Sequence, residues 1–356
     1  MQQHKTRNTS HPHPKSNDIH TKILVIKISS MGDLIHTLPA ITDAAHAIPN
    51  AQFTWVTEEA FTEIPTWHPN VQKVIPIALR RWRKAIGRTI QQGEWQLFYQ
   101  TLRATHYDYA IDAQGLLKSA CIARLAQSHT VGGPDVYSAR ESWAALVYQQ
   151  RFSIPKQQHA ITRTRQLFSL AFNYPLPDTT PNYGIDLTRF QQNQPNTNKK
   201  TIVFIHGSSR HIKCWPESHW ITLGHLANRA GFTIHLPWGN QTEAKRAKRI
   251  ANACQSAHVL DKLNLQGLAG ILSNADAVVT VDTGPGHLAA ALNRPTVGLY
   301  GPTNPALCGI RTHNGINLYD SNGLDHITAE DVWQAITKLL TKVKKKRNSQ
   351  GVIESR

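Results

Sequence analysis

The feature that most constrains this chain is an alternation of short β-branched runs with helical stretches, which stops once and then begins again. Lys22–Ile28 (KILVIKI) is an apolar run of strand length, and Gln52–Thr57, Val71–Ile77 and Tyr107–Asp112 repeat the pattern. Between them, Leu34–Ile48 sets Leu34, Leu38, Ile41 and Ala45 on one helical face. Arg80–Thr105 has helical composition with a break expected at Gly93, and Leu116–Ala126 reads as a helix. Strands separated by helices pair in parallel through crossovers, so the pattern predicts a doubly wound α/β sheet. Over residues 174–200 four prolines and a cluster of Asn and Gln replace the periodicity. The alternation then resumes with strand Thr201–His206, helix Glu217–Ala230, strand Phe232–Leu236 and helix Thr242–Ala253. Strands Ala275–Val281 and Thr296–Tyr300 follow, with a short helix expected from about His287 between them and a last helix over Thr328–Lys346. The expected organisation of the 356 residues is a disordered tail (1–20), a first domain (21–175), a linker (176–200), a second domain (201–340) and a basic tail (341–356).

Composition narrows the function. No apolar run reaches the ~18 residues of a membrane span. The first twenty residues are polar and His-rich, without the apolar core of a secretory signal. Cys121, Cys214, Cys254 and Cys308 are scattered with no C-x-x-C pair, which fits a reducing compartment, and a soluble cytoplasmic protein is expected. Net charge is +16, of which the body between the tails keeps +9. Arg80, Arg81, Arg83, Lys84 and Arg88 fall within nine residues that hold no acid. Such a balance implies an anionic partner: nucleic acid, an anionic membrane surface or a phosphorylated substrate. No RNP-type strand or zinc finger supports the first. The histidines form no H-E-x-x-H motif, and His206 and His287 read as satisfied polar or helix-opening residues. Trp55, Trp67, Trp82, Trp95 and Trp215 show no stacking register and read as structural.

Ligands of open α/β sheets bind at the carboxyl ends of the strands, and four strand-to-helix loops stand out. Ser29–Asp33 (SSMGD) places Asp33 at a helix start, where capping is the ordinary role. His206–Glu217 combines Gly207, Ser208, Ser209 and Lys213 ahead of a helix, which suits an anion as well as it suits a plain turn. In Asp282–His287 (DTGPGH), two glycines leave the backbone open to a ligand at a helix N-terminus. Glu243 follows Thr242, a plausible cap, and could accept from a ribose diol or complement the helix dipole. No G-x-G-x-x-G fingerprint is present, so a nicotinamide or flavin role is disfavoured, and no cofactor is expected.

In this order the loops resemble the ADP-heptose:lipopolysaccharide heptosyltransferase family. The matching segments are residues 27–49, 75–84, 107–120, 156–168, 213–220, 236–249 and 281–295, within a likeness that runs from about 22 to 340. S-S-M-G-D-x-x-H-T-L-P and A-x-R-R-W-R-K point within that family to transfer of the first heptose. The resemblance implies a GT-B architecture, two Rossmann-like domains facing a cleft, and inversion at the sugar carbon without a metal. It implies ADP-heptose as donor, held by Ser208, Ser209, Lys213, Glu243, Leu263, Asp282, Thr283, Gly284 and His287. Lys213 would neutralise the diphosphate, Glu243 would hold the ribose, and Leu263 would lie beside adenine. Asp33 would be the general base for an acceptor hydroxyl of Kdo2-lipid A, reversing the capping preference. Arg80, Arg81, Arg83, Lys84 and Arg140 would bind the acceptor's carboxylates and phosphates. The basic surface would then meet an anionic glycolipid on the cytoplasmic face of the inner membrane, not nucleic acid.

Overall fold

The computed structural model describes residues 20–190 and 200–354; the histidine-rich start and residues 191–199, near the end of the expected linker, lie outside them. Twelve strands form two parallel sheets. The first contains β1 (Lys22–Ile26), β2 (Gln52–Glu58), β3 (Val71–Ile77), β4 (Tyr107–Asp112), β5 (Ser128–Pro134) and β6 (Gln150–Phe152). The second contains β7 (Lys200–Ile205), β8 (Phe232–Leu236), β9 (Ala257–Val259), β10 (Ala277–Val281), β11 (Thr296–Tyr300) and β12 (Gly315–Tyr319). The first sheet is ordered β3-β2-β1-β4-β5-β6 and the second β12-β11-β10-β7-β8-β9. Read from its own first strand, the second sheet repeats the dinucleotide-fold order of the first. Each sheet therefore has one point where strand order reverses, between β1 and β4 and between β7 and β10.

β1 shows why these runs become central strands. Leu24 and Ile26 enter one core with Val56, Ile75 and Ala110, while Ile23 and Val25 enter a core on the opposite face with Phe53 and Trp55. A strand covered on both faces is apolar at every position rather than at alternate ones. The second of these cores continues into the other half of the molecule through Val203, Ile205, Ala269 and Leu288. A further core, with Phe204, Trp220, Val279 and Val297, fills the far face of the second sheet.

Several elements depart from expectation. The helix expected over Leu34–Ile48 is two, Met31–Ile35 and Leu38–Ala47, because Pro39 has no N–H to continue the ladder. Arg80–Thr105 divides into Leu79–Trp82, Ile86–Gln91 and Glu94–Arg103, with Gly93 at a φ of +64° opening the last. β5, β6, β9, β12 and the helices Ala160–Phe172 and Leu265–Asn274 were not anticipated. In β5 (SHTVGGP), Gly132 and Gly133 lie under the rings of Tyr109 and Tyr148, where any Cβ would overlap. The close approach therefore replaced the apolar residues that would have marked a strand. Residues 174–190 carry an ordered path: Tyr183 and Phe190 are buried, Asp186 N donates to Trp67 O at 3.0 Å, and Tyr183 Oη donates to Arg311 O at 3.0 Å. The last helix runs over Ala329–Glu354, so the segment expected as a basic tail continues it. No helix among the described residues is long and apolar enough to cross a membrane.

Candidate functional site

The loop after β1 is shaped by the loop after β4, its neighbour across the first switch point. Gln114 Oε1 accepts from Ile28 N (3.0 Å) and Ser29 N (3.3 Å), and Lys27 Nζ donates to Ala113 O (2.7 Å). Gln114 is itself anchored: Asp112, fully buried, accepts from Gln114 N, Gly115 N, Ser119 Oγ and Tyr148 Oη at 2.6–3.1 Å. Burial nonetheless outweighs those four donors and raises the Asp112 carboxyl.

Asp33 is not the helix cap that its position suggested. Ser30 occupies the cap, and Asp33 stands three residues on, where its Oδ2 accepts from Ser30 N (2.8 Å) and Ser30 Oγ (3.1 Å). Burial alone would raise this carboxyl. The Lys27 ammonium, the two Ser30 donors and Arg140 together win and hold it below the usual carboxylate range. Lys27 is lowered by its own burial, against the pull of Asp33 and with the opposition of Arg140. The result is a carboxylate held in its ionised form.

On the other side, Lys213 Nζ and Asp282 Oδ2 form an ion pair at 2.5 Å across the second switch point, and Ser208 Oγ donates to Asp282 O at 3.2 Å. Ser209 is exposed. Thr283 caps a helix that begins at Gly284 and runs to Ala291, three residues earlier than expected, with Pro285 in its first turn. The cap expected at Thr242 lies instead at Asn240, whose Oδ1 accepts from Glu243 N (3.0 Å). The Glu243 carboxylate accepts from Gly239 N (2.7 Å) and Asn240 Nδ2 (2.9 Å) and lies over Gly207, where a Cβ would sit 2.5 Å from Glu243 Cδ. Leu263 is half-buried beside the start of the Leu265–Asn274 helix.

The two switch points meet. The Met31–Ile35 and Gly284–Ala291 helices pack so tightly that a Cβ on Gly32 would lie 3.0 Å from His287 Cδ2. One on Gly284 would lie 2.8 Å from Met31 Cβ. Across this contact His36 Nε2 and His287 Nδ1 are 3.1 Å apart, and His287 Nε2 is 3.9 Å from Asp282 Oδ1. His159, hydrogen-bonded through Nε2 to Gly309 O at 2.9 Å, lies 5.8 Å from the His36 ring. His287 is thus one member of a buried histidine group, not an isolated helix opener. Burial lowers all three, His159 to about 4. His206 also departs from its reading: it is fully buried, and among the described residues neither ring nitrogen has a hydrogen-bond partner. Cys308 is pushed up to about 11 by burial and by Asp282.

The basic residues divide into two groups. Arg140 is exposed and electrostatically coupled to Asp33 and Lys27. Arg80, Arg81 and Lys84 line a separate cavity of about 360 Å³ with Glu58 and Glu59, and Arg83 is exposed nearby. Within it Arg81 is held by Glu59 (3.0 Å) and Glu94 (2.6 Å), and Arg80 lies over the Phe61 ring. Sequence reasoning missed Lys27, Gln114, His36, His159 and Cys308. His36 was open to inference, since it lies one helical turn beyond Asp33. The others are joined only by the fold. Among the described residues no group of three or more His, Cys, Asp and Glu could hold a metal ion.

Comparison with known proteins gives this geometry a family. Residues 95–327 match the glycosyltransferase family 9 (heptosyltransferase) model. Lipopolysaccharide heptosyltransferase 1 of Pseudomonas aeruginosa is 48% identical over 297 residues, covering 83% of each chain. The Escherichia coli K12 protein of the same name is 46% identical over 288 residues, 81% of this chain and 90% of that one. The solved structure of the E. coli heptosyltransferase WaaC with ADP superposes with a TM-score of 0.85 at 45% identity, over 90% of this chain and all of that one. The paired six-stranded sheets are the GT-B arrangement expected from the sequence. On these grounds the chain belongs to glycosyltransferase family 9, the heptosyltransferases.

Proposed function

We propose that this enzyme transfers L-glycero-D-manno-heptose from ADP-heptose to a Kdo residue of Kdo2-lipid A, by a single displacement that inverts the sugar carbon and needs no metal. The observation that carries the reading is the meeting of the two switch points. It sets an ionised carboxylate, Asp33, across a helix–helix contact from the Lys213–Asp282 pair. An E. coli relative solved with ADP and with ADP-2-deoxy-2-fluoro heptose supports the donor.

In this mechanism Asp33 takes the proton of the acceptor hydroxyl as its oxygen attacks the heptose anomeric carbon. The carbon–oxygen bond to the diphosphate breaks and ADP departs with the electron pair. Lys213 exchanges part of its contact with Asp282 for the diphosphate, and the N–H groups at Thr283 and Gly284 add the positive end of a helix. Ser208 and Ser209 donate beside it, Glu243 holds the ribose, Leu263 lies against adenine, and His287 borders the heptose. Arg140, with Arg80, Arg83 and Lys84, receives the acceptor's anionic groups. Arg81 contributes less, because Glu59 and Glu94 already occupy it. The enzyme would work on the cytoplasmic face of the membrane that carries its acceptor.

Incubation with ADP-heptose and Kdo2-lipid A in the presence of a chelator should add the mass of one heptose, with the new linkage opposite in configuration to the donor's. Absence of that product overturns the assignment. Addition only to an acceptor that already bears heptose would move the enzyme to a later step.

A further inference from the structure

His36 has no role in the donor and acceptor assignments, yet it is buried where the two switch points meet. It is 6% exposed and stands at the C-cap of the Met31–Ile35 helix. Its Nε2 lies 3.1 Å from His287 Nδ1, with the two rings at 75° and their centroids 4.4 Å apart. A hydrogen bond between two neutral imidazole nitrogens holds one proton, so the pair has two arrangements. In one, His36 donates and His287 carries its own proton on Nε2. In the other, His287 donates from Nδ1 and its Nε2 is left as a lone pair.

The surroundings choose between them. Both rings are neutral, because burial lowers them; at His36 the neighbouring His287, His159 and Lys27 add to it, and at His287 burial outweighs the pull of Asp282 and Asp33. His287 Nε2 lies 3.9 Å from Asp282 Oδ1, beyond hydrogen-bond reach, and makes no hydrogen bond among the described residues. Asp282 meets Lys213 through its other oxygen. A lone pair turned toward a carboxylate is repelled, whereas an N–H is attracted, so the proton of His287 belongs on Nε2. His159 is fixed by its own partners: Nδ1 accepts from Ile161 N (3.2 Å), which leaves the proton on Nε2 for Gly309 O (2.9 Å). Both of its nitrogens are engaged, and His36 is the ring that answers His287.

We propose that His36 is a positioning residue for the donor site: by donating from Nε2 to His287 Nδ1 it holds His287 as the Nε2–H tautomer and aims that N–H at an oxygen of the donor's diphosphate. The proposal rests on the ADP-sugar reading given above and deepens it. His287 Nε2 stands beside the Lys213–Asp282 pair, to which the diphosphate is assigned. In the opposite tautomer its lone pair would face two anions, the carboxylate and the diphosphate. A neutral donor fixed in advance needs no reorganisation when the leaving oxygen gains charge. His36 itself touches no substrate atom and acts through His287.

The test is long-range proton–nitrogen NMR of the full chain labelled at its histidine nitrogens, read with and without ADP. The His287 ring is assigned by its absence from the spectrum of His287→Ala. Wild type should show one neutral His287 tautomer, protonated at Nε2, and ADP should shift that nitrogen more than Nδ1. A proton on Nδ1, an equal mixture, or an Nε2 that ADP leaves unmoved overturns the proposal. Calorimetric titration with ADP is the second arm. His36→Met, which has no donor, should bind ADP about fivefold more weakly, the worth of one hydrogen bond. His36→Gln, whose side-chain N–H can donate, should keep most of the affinity. In the His287→Ala background, His36→Met should cost nothing further. Equal losses in the Met and Gln variants, or a loss that persists without His287, would reduce His36 to packing and overturn the proposal. If His36→Met does not fold, the wild-type spectrum and His36→Gln still decide. An enzyme that binds no ADP overturns this proposal together with the donor reading. ADP binding without heptosyl transfer removes the enzymatic reading alone.

Discussion

At the scale of single residues, Asp33, the proposed base, would serve a local structure and a reaction together. It accepts two hydrogen bonds from Ser30, so Asp33→Asn keeps an acceptor in place and should leave the helix start almost unchanged. A general base contributes typically ~10²–10⁴-fold, so kcat should fall by about that factor while ADP affinity and melting temperature hold. Near-wild-type turnover of a folded Asp33→Asn enzyme would remove Asp33 from the chemistry. Lys27 offers a separate handle. Its buried side chain is the largest of the influences that lower the Asp33 carboxyl. Lys27→Met should raise the Asp33 pKa, so the acid limb of the kcat/KM profile should move to higher pH. A profile with an unmoved acid limb would show that the base answers to some other group.

At the scale of elements, strands were legible both where every position is buried, as in β11, and at a sheet edge where burial is partial, as in β3. β3, β4, β8 and β11 match to the residue. Helix starts were harder for a reason that repeats. Asp33 and Glu243 are third-position acids, drawn toward the helix N-terminus by its dipole, while Ser30 and Asn240 are the caps. An acid near a helix start is visible in sequence; which small polar residue caps it is decided by backbone geometry. The contact between the Met31–Ile35 and Gly284–Ala291 helices was invisible, since it joins glycines about 250 residues apart. It predicts that Gly284→Ala, meeting Met31 at 2.8 Å, costs about 1–3 kcal/mol and lowers kcat by displacing the Asp33 helix. Gly270→Ala, in a helix with nothing within 4 Å, should be neutral or stabilising in the same thermal scan. The Lys213–Asp282 pair calls for a cycle of mutants rather than one. Lys213→Ala should weaken ADP binding at least about tenfold, through a lost charged contact and an uncompensated Asp282 facing the diphosphate. Adding Asp282→Asn should recover part of that loss in a calorimetric titration. Simple additivity would mean the pair is not coupled at the nucleotide.

At the scale of the whole molecule, the two halves share a core, and the histidines were the least legible feature of the sequence because their roles depend on which half they face. His36, His159 and His287 come from three distant segments and become one buried group only when both sheets are in place. His68 and His206 are buried apart from them, and burial lowers both to about 4. Such shifts couple folding to pH in a definite direction. The unfolded chain protonates these rings near the ordinary value of about 6.5, whereas the native state refuses the proton until about 4. Their contribution to stability is therefore fully present above about pH 6.5 and is lost progressively as pH falls toward 4. One such ring gives a slope of up to about 1.4 kcal/mol per pH unit across that window. Urea unfolding at pH 7.5, 6 and 5 should show stability falling at each step. His206→Leu, which removes one titrating ring from the second half, should flatten the fall by about one ring's share. An unfolding free energy constant from pH 7.5 to 5 would contradict the burial of these imidazoles as neutral rings.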